Sequence, residues 1–248
     1  MRIGFFSDPH LSINPEFDPI KEIIKESVDL ILSGGDWGVI PYGIDEFKKI
    51  TRHVPIYSIA GNHDDENILK AYGMLLNEGT NDVLGLKICA VHRAVKPINF
   101  YGDWEGYRDF PEMVNVLQKF TEEVGFCDIL LTHEPPAYLF RGLTRKHPAF
   151  AKILNPYSEF LDLIVAKSLP RLVLCGHRHA VPYFFKEELL EVDYETVISI
   201  PTVMVITTLD NTYAIIDYDE KERIVEKITV KSNGKKIFSI KPRYKYEV

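Results

Sequence analysis

The strongest constraint on the fold is a series of five apolar segments, each of which ends directly at a short polar cluster. The segments have the length and composition of buried strands: MRIGFF, VDLILS, VPIYSIA, CDILL and RLVLC. The polar clusters that follow them are Asp8-Pro9-His10, Gly35-Asp36, Gly61-Asn62-His63-Asp64, Thr132-His133 and Gly176-His177-Arg178-His179. In open α/β sheets, ligands bind beyond the carboxyl ends of the strands. We therefore expect the five clusters to meet in one crevice.

Segments with helical spacing of apolar residues alternate with these strands. They predict helices near residues 19–28, 47–53, 65–76, 111–124 and 157–167. Either Asp64 or Asp65 begins the third of them. Beyond residue 170 the apolar runs, including the one at 171–175, lack a helical period and are separated by turn residues such as Asn233-Gly234, which predicts antiparallel strands. The expectation is an α/β protein with one βα-rich layer and one all-β layer, packed face to face with helices outside.

Composition agrees with a globular protein. A chain of 248 residues, 46% of them hydrophobic, can form one domain with a large core, and we expect residues 1–248 to do so. The net charge of −7 argues against broad attraction to nucleic acid or anionic membranes, although a local basic patch leaves nucleic-acid binding open. From the first residues we expect no targeting sequence. The sequence has no apolar stretch of membrane-spanning length and no CxxC pair, so we also expect buried thiols and a cytoplasmic location.

The polar clusters have the composition of a metal centre. They supply four histidines, two aspartates and one asparagine as candidate ligands: Asp8, His10, Asp36, Asn62, His133, His177 and His179. A catalytic zinc-type site uses about three or four protein ligands per ion, so this set with one bridging carboxylate fits two ions. Asp8 and His10 are two residues apart, and in extended backbone their side chains would point the same way. Imidazole and carboxylate suit Mn²⁺, Fe²⁺, Zn²⁺, Ni²⁺ or Co²⁺, and the oxygen-rich set favours Mn²⁺.

The clusters resemble, in type and in order, the motifs of the calcineurin-like metallophosphoesterase superfamily: D-x-H, G-D, G-N-H-D/E, G/T-H and G-H-x-H. The resemblance spans residues 8–179. It implies a four-layer α/β/β/α sandwich, in which two mixed sheets pack face to face with helices outside and the metal ions lie at one edge. It also implies that Asp8, His10, Asp36 and His179 hold one ion and that Asp36, Asn62, His133 and His177 hold the other. In this arrangement Asp36 bridges the two ions.

The resemblance further implies hydrolysis of a phosphate ester. Two divalent ions about 3.5–4 Å apart lower the pKa of a shared water, and the bridging hydroxide can attack phosphorus in line. We expect a metal-dependent phosphodiesterase acting on a small phosphate ester. The alternatives are a nuclease or phosphomonoesterase of the same family, or a non-catalytic metal-binding scaffold for protein assembly.

His63 is the predicted catalytic residue outside the ligand set, because it can protonate the leaving oxygen. The protein serine/threonine phosphatases of the family carry a second aspartate three residues after the bridging one, and this chain has Val39 there. A role as a strong general acid and protein phosphatase activity are both less expected for that reason. Asp64 either helps to orient His63 or only caps the following helix.

Two segments, 99–109 and 134–150, could form the walls of a substrate pocket. Arg141 and Arg145 in the second segment could hold phosphate or another charged group, or they could belong to an ordinary solvated loop. Trp104 and Tyr138 could stack on a base or could pack their loops against the protein. Oligomeric state is not predicted.

Overall fold

A computed structural model describes most of the chain, namely residues 1–13, 19–38, 49, 52–96, 106–123, 125–141, 158–192, 196–243 and 245–247. The predicted helix near 47–53 lies largely outside the described residues. So do Val39, Trp104 and Arg145, together with most of the two predicted pocket segments.

The described residues form strands and helices in the following order. The strands are β1 (Arg2–Phe6), β2 (Leu30–Ser33), β3 (Ile56–Ser58), β4 (Gly79–Val83), β5 (Leu86–Val91), β6 (Ala94–Val95), β7 (Tyr107–Arg108), β8 (Ile129–Thr132), β9 (Leu172–Cys175), β10 (Tyr183–Glu191), β11 (Thr196–Val205), β12 (Thr212–Asp219), β13 (Ile224–Ser232), β14 (Lys235–Ile240) and β15 (Lys245–Glu247). The helices are α1 (Pro19–Ile24), α2 (Glu66–Ala71), α3 (Phe110–Glu123), α4 (Glu159–Ser168) and α5 (Thr207–Asp210), with a 3₁₀ turn at Ala137–Phe140.

Two mixed sheets carry the fold. The first has the order β14-β13-β12-β1-β2-β3, with β1, β2 and β3 parallel and the other three antiparallel. The second has the order β10-β11-β9-β8-β5-β4, and β15 also pairs with β11. In this sheet β5, β8, β9 and β11 are parallel neighbours, while β4 and β10 add antiparallel edges.

This topology confirms the predicted fold class and corrects two details. The segment at 171–175, predicted to be antiparallel, is the parallel strand β9, because α4 carries the chain back over the sheet between β8 and β9. The predicted division into one βα-rich layer and one all-β layer is wrong, since each sheet combines parallel strands with antiparallel ones. Apolar periodicity identifies strands, but it does not reveal which sheet a strand joins.

The buried side chains explain the layers, because alternate residues of a strand face opposite sides of its sheet. Between the sheets, Ile3 and Phe5 of β1 share a fully buried cluster with Leu131 and Leu174 of β8 and β9. The opposite face of the first sheet packs against α1, and that of the second packs against α3 and α4. Each fully buried large apolar side chain contributes roughly 1.5–3 kcal/mol. The result is the predicted four-layer α/β/β/α sandwich.

Helix α2 illustrates how local sequence sets a boundary. Asp65 begins it, since its carboxylate accepts a hydrogen bond from Asn67 N at 2.8 Å. The helix ends at Ala71, earlier than predicted, because Gly73 adopts a left-handed conformation with φ +68°. Leu75, predicted to lie on the helix, instead bridges to Ser58 beside β3.

The three cysteines are free and buried, as the sequence predicts. Among the described helices, none combines the length and the apolar character that crossing a membrane requires. The single domain and the cytoplasmic location stay predictions.

Candidate metal centre

The five polar clusters lie where the strands of both sheets end. Those after β1, β2 and β3 belong to the first sheet, and those after β8 and β9 belong to the second. The backbone at Asp8, His10, Asp36 and His177 is left-handed, with φ of +54°, +42°, +57° and +66°. Such conformations are unfavourable for non-glycine residues and cluster at functional sites. The extended backbone predicted for Asp8 and His10 is therefore wrong, because the strand ends at Phe6 before these residues.

Hydrogen bonds hold these turns together. Asp8 N donates to Gly35 O at 2.9 Å, and His10 N donates to Asp36 O at 3.0 Å. The partly buried Asp64 carboxylate accepts hydrogen bonds from Asp36 N at 2.7 Å, Trp37 N at 2.8 Å and Gly61 N at 2.8 Å. Burial, helped by the charge of Asp36, raises the pKa of Asp64 to about 6. Asp64 thus connects the second and third clusters, whereas Asp65 caps the helix.

One group of candidate ligand atoms comprises Asp8, His10 and His179. Nε2 of His179 lies 3.0 Å from Asp8 Oδ1, and Nε2 of His10 lies 4.0 Å from the same oxygen. The other carboxylate oxygen, Oδ2, accepts hydrogen bonds from Ser7 Oγ at 2.5 Å and from His177 N at 2.8 Å. These two donors fix the carboxylate so that Oδ1 faces the imidazoles.

The second group comprises Asp36, His133 and His177, with Asn62 beside them. Nε2 of His133 lies at its centre. It is 3.4 Å from Asp36 Oδ2, 3.2 Å from His177 Nδ1 and 3.0 Å from Asn62 Oδ1. All four residues are buried or nearly so.

Asp36 touches both groups with a single oxygen. Its Oδ2 lies 3.5 Å from His10 Nε2 and 3.4 Å from His133 Nε2, while its Oδ1 accepts a hydrogen bond from His63 N at 2.8 Å. The two groups coincide with the two ligand sets that the resemblance implies, and Asp36 occupies the position between them. Their role as metal ligands stays a prediction.

The tautomer of His133 provides a test of whether a cation fits. Its Nδ1 lies 2.7 Å from Gly34 O, which can only accept, so Nδ1 carries the hydrogen. In the neutral ring, Nε2 then presents a lone pair to two further acceptors, Asp36 Oδ2 and Asn62 Oδ1. Lone pairs that converge in this way are stabilised by a positive charge between them. Although burial opposes it, the charge of Asp36 raises the pKa of His133 to about 10, so the surroundings of this ring favour a positive charge. The residues fit a divalent ion.

His63 lies at the exposed side of the groups. Its ring meets that of His10 edge to face, with centroids 5.3 Å apart. It also lines an open cavity of about 680 Å³ together with Asn62, Arg93 and Gly106. The side chain is therefore accessible from solvent next to candidate ligands, and its catalytic role stays a prediction.

The predicted substrate residues that the structure describes have other contacts. Arg141 is 60% exposed, pairs with Asp162 of α4 and lies 4.0 Å from Glu188 of β10. Tyr138 is buried, and its hydroxyl lies 2.7 Å from Thr202 Oγ1, so it packs inside the protein. A substrate role for Arg141 stays a prediction, and Arg145 lies outside the described residues.

Sequence reasoning missed two residues that support the candidate ligands. Ser7 hydrogen-bonds Asp8, as described above. Glu134 is buried beside His177, with its Oε2 3.4 Å from His177 Nε2. Their positions in the sequence could have identified them, because each stands next to a candidate ligand.

The calcineurin-like phosphoesterase family matches residues 1–181 of this chain. With this fold and these two groups of side chains, the chain belongs to the calcineurin-like phosphoesterases, which are hydrolases acting on phosphoric ester bonds. The family depends on two metal ions, and the chain has two groups of residues suited to hold them. None of the curated protein sequences matches it.

Several solved structures are similar to the chain. TT1561 of Thermus thermophilus is 15% identical with a TM-score of 0.54, and the alignment covers 93% of this chain and 98% of that one. An archaeal phosphodiesterase is 15% identical with a TM-score of 0.38, covering 93% and 100%. A 5′-nucleotidase precursor, also from Thermus thermophilus, is 10% identical with a TM-score of 0.45, covering 94% and 54%. The similarity to TT1561 shows a shared fold.

Proposed function

We propose that this protein is a phosphodiesterase that uses two divalent metal ions to hydrolyse a small phosphate ester. The observation that carries the proposal is the position of Asp36 Oδ2, 3.5 Å from His10 Nε2 and 3.4 Å from His133 Nε2. A shared carboxylate between two groups of imidazoles suits two neighbouring cations, because its negative charge reduces their mutual repulsion. Asp8, His10, Asp36 and His179 would hold one ion, and Asp36, Asn62, His133 and His177 the other.

The chain's own residues supply the rest of the chemistry. When bound, a pair of divalent ions activates water and stabilises charge on phosphoryl oxygens. His63 would donate a proton to the leaving oxygen, since its exposed ring lies beside His10 and lines the adjoining cavity. The backbone of His63 is fixed by its hydrogen bond to Asp36, which ties the proposed acid to the proposed bridging ligand.

The neighbouring charges favour a diester over a monoester. Near neutral pH a phosphodiester carries one negative charge, whereas a monoester approaches two. Two guanidinium groups close to the candidate ligands are both paired with glutamates: Arg93 with Glu66 at 3.0 Å and Arg178 with Glu134. Their positive charges are therefore already balanced and do not favour the second negative charge of a monoester. The cavity of about 680 Å³ beside His63 provides room for a second ester group. Mn²⁺ is the proposed ion, because the ligand set combines imidazole with hard oxygen donors.

Hydrolysis of two chromogenic esters tests the proposal. Metal-stripped protein is supplied with Mn²⁺, Ni²⁺, Co²⁺, Zn²⁺ or Mg²⁺, and cleavage of bis-p-nitrophenyl phosphate and p-nitrophenyl phosphate is followed. We expect metal-dependent cleavage with a higher kcat/KM for the diester.

Each outcome is informative. A preference for p-nitrophenyl phosphate would contradict the diesterase assignment and favour a phosphomonoesterase. Binding of two ions without cleavage of either ester would contradict the proposed activity on small esters. It would favour a metal-binding scaffold or a nuclease with a large substrate.

A further inference from the structure

Glu134 directly follows the candidate ligand His133, and its carboxylate is almost completely buried, with the side chain 2% exposed. One oxygen, Oε1, accepts hydrogen bonds from Ser158 Oγ and Arg178 Nε, both at 2.9 Å, and also contacts Arg178 Nη2. The other oxygen, Oε2, is buried, and within the described part of the chain no donor hydrogen-bonds to it. A buried carboxylate oxygen without a donor is costly, so its surroundings require explanation.

The neighbour of Oε2 is the outer nitrogen of a candidate ligand. Nε2 of His177 lies 3.4 Å from it, while Nδ1 of the same ring points the other way and lies 3.2 Å from His133 Nε2. The two nitrogens of one imidazole therefore face different partners. An imidazole that binds a cation through Nδ1 must carry its hydrogen on Nε2, and a carboxylate oxygen is a suitable acceptor for that hydrogen.

We propose that Glu134 is a positioning residue that fixes the tautomer and orientation of His177, so that Nδ1 presents its lone pair to the ion held with Asn62 and His133. This inference rests on the metal centre of the proposed function and adds a residue that supports one ion only. Arg178 completes the arrangement. Its pairing with Oε1 prevents the carboxylate from rotating and ties the loop of Gly176–His179 to the end of β8.

The isosteric variant Glu134→Gln has a defined consequence. Arg178 can only donate, so the amide oxygen of glutamine must take the place of Oε1. Its NH₂ group then takes the place of Oε2 and faces Nε2 of His177. A donor at this position favours the tautomer with a lone pair on Nε2 and hydrogen on Nδ1, which competes with metal binding. The variant thus retains size and the Arg178 contact but reverses the polarity that His177 meets.

Zn²⁺ titration against a chromophoric chelator measures the effect on the full-length, metal-stripped protein. We expect Glu134→Gln to weaken one of the two binding steps by about 10- to 100-fold and to leave the other unchanged, as is typical for loss of an outer-shell partner. His133→Ala identifies the affected step, since it removes a ligand of the same ion. Glu78→Gln is the matched control, because Glu78 also pairs with an arginine, Arg108, at 2.8 Å but contacts no candidate ligand.

Two results would overturn the inference. Unchanged affinity at both steps would show that metal binding by His177 does not depend on Glu134. Equal weakening of both steps would show that the substitution distorts the whole metal centre. Nitrogen-15 spectra of the wild-type Zn²⁺ protein give an independent check that needs no variant. Hydrogen on Nε2 of His177 and metal on Nδ1 are expected, and the reverse assignment would contradict the inference. These measurements use no substrate, so failure of the phosphodiesterase assignment alone would leave their result intact.

Discussion

Replacing Asp36 by asparagine tests whether one oxygen serves both candidate groups. The variant retains an acceptor for His63 N but removes the charge, and its NH₂ group faces the imidazoles of His10 and His133 at about the position of Oδ2. At the 3.4 Å that separates Oδ2 from His133 Nε2, two unit charges interact by about 5 kcal/mol at an effective dielectric constant of about 20. A divalent ion would interact with the Asp36 carboxylate more strongly than a unit charge does, and the desolvation of both groups offsets part of this interaction energy.

We therefore expect a loss of at least about 2.8 kcal/mol at each ion, or about 100-fold in affinity. Competition with a chromophoric chelator measures both steps in metal-stripped protein. Asp8→Asn is the matched comparison and should weaken one step, because Oδ1 of Asp8 faces only the group with His10 and His179, while the amide oxygen of asparagine can still accept from Ser7 Oγ and His177 N at the position of Oδ2. If Asp36→Asn retains either ion at wild-type affinity, the bridging arrangement is wrong.

Three further predictions concern other residues. His63→Ala should retain both ions by metal analysis while kcat falls about 100-fold or more, as expected for a general acid; an unchanged kcat would assign the proton transfer elsewhere. Gly176→Ala should weaken metal binding and destabilise the fold by roughly 1–3 kcal/mol, because its Cβ would lie 2.6 Å from Ser7 Cβ and against Asp8 Oδ2, and urea unfolding with Zn²⁺ titration checks both effects. Burial lowers the pKa of His92 from its usual value of 6.5, so the unfolded chain takes up a proton at a higher pH than the folded protein does. The stability that the neutral imidazole contributes above about pH 6.5 is therefore lost as the pH falls below that value. His92→Asn retains an acceptor for Ala60 N, and its urea midpoint should fall less than that of the wild type between pH 7 and pH 5; equal losses would exclude His92 as the cause.

Local patterns were sufficient to predict much of the fold. The apolar segments ending at Phe6, Ser33 and Cys175 are strands, and Asn233-Gly234 forms the predicted turn between β13 and β14. The sheet assignment of Leu172–Cys175 was not predictable in the same way, because pairing with β8 and β11 depends on contacts distant in the sequence. The hairpin of β4 and β5 was missed for a different reason: its pairing is local, but its two-residue turn has Leu84 in front of Gly85, where the recognisable turn signals have asparagine or aspartate.

The candidate site shows a similar limit. The clusters that converge were identifiable, because each follows an apolar strand segment. The left-handed backbone at Asp8 and His10 was not, since a pattern of side-chain types does not specify dihedral angles. Glu134 was overlooked because an acidic residue beside two prolines resembles an ordinary loop charge, and only the packing of Arg178 and Ser158 around it reveals its burial.

The division of the ligands between the two sheets has a consequence for the whole molecule. Asp8, His10, Asp36 and Asn62 follow strands of the first sheet, whereas His133, His177 and His179 follow strands of the second. Each proposed ion would therefore cross-link the two halves of the sandwich at one end, while Phe5 and Leu131 are buried between the same halves in the core. The free energy of metal binding then adds to the free energy that holds the two sheets together. Each ion, when present at 100 times its dissociation constant, would stabilise the fold by about 2.7 kcal/mol. A substitution deep in the interface that leaves the metal-free protein partly unfolded would in turn lower its apparent metal affinity, because ion binding would then have to drive folding as well.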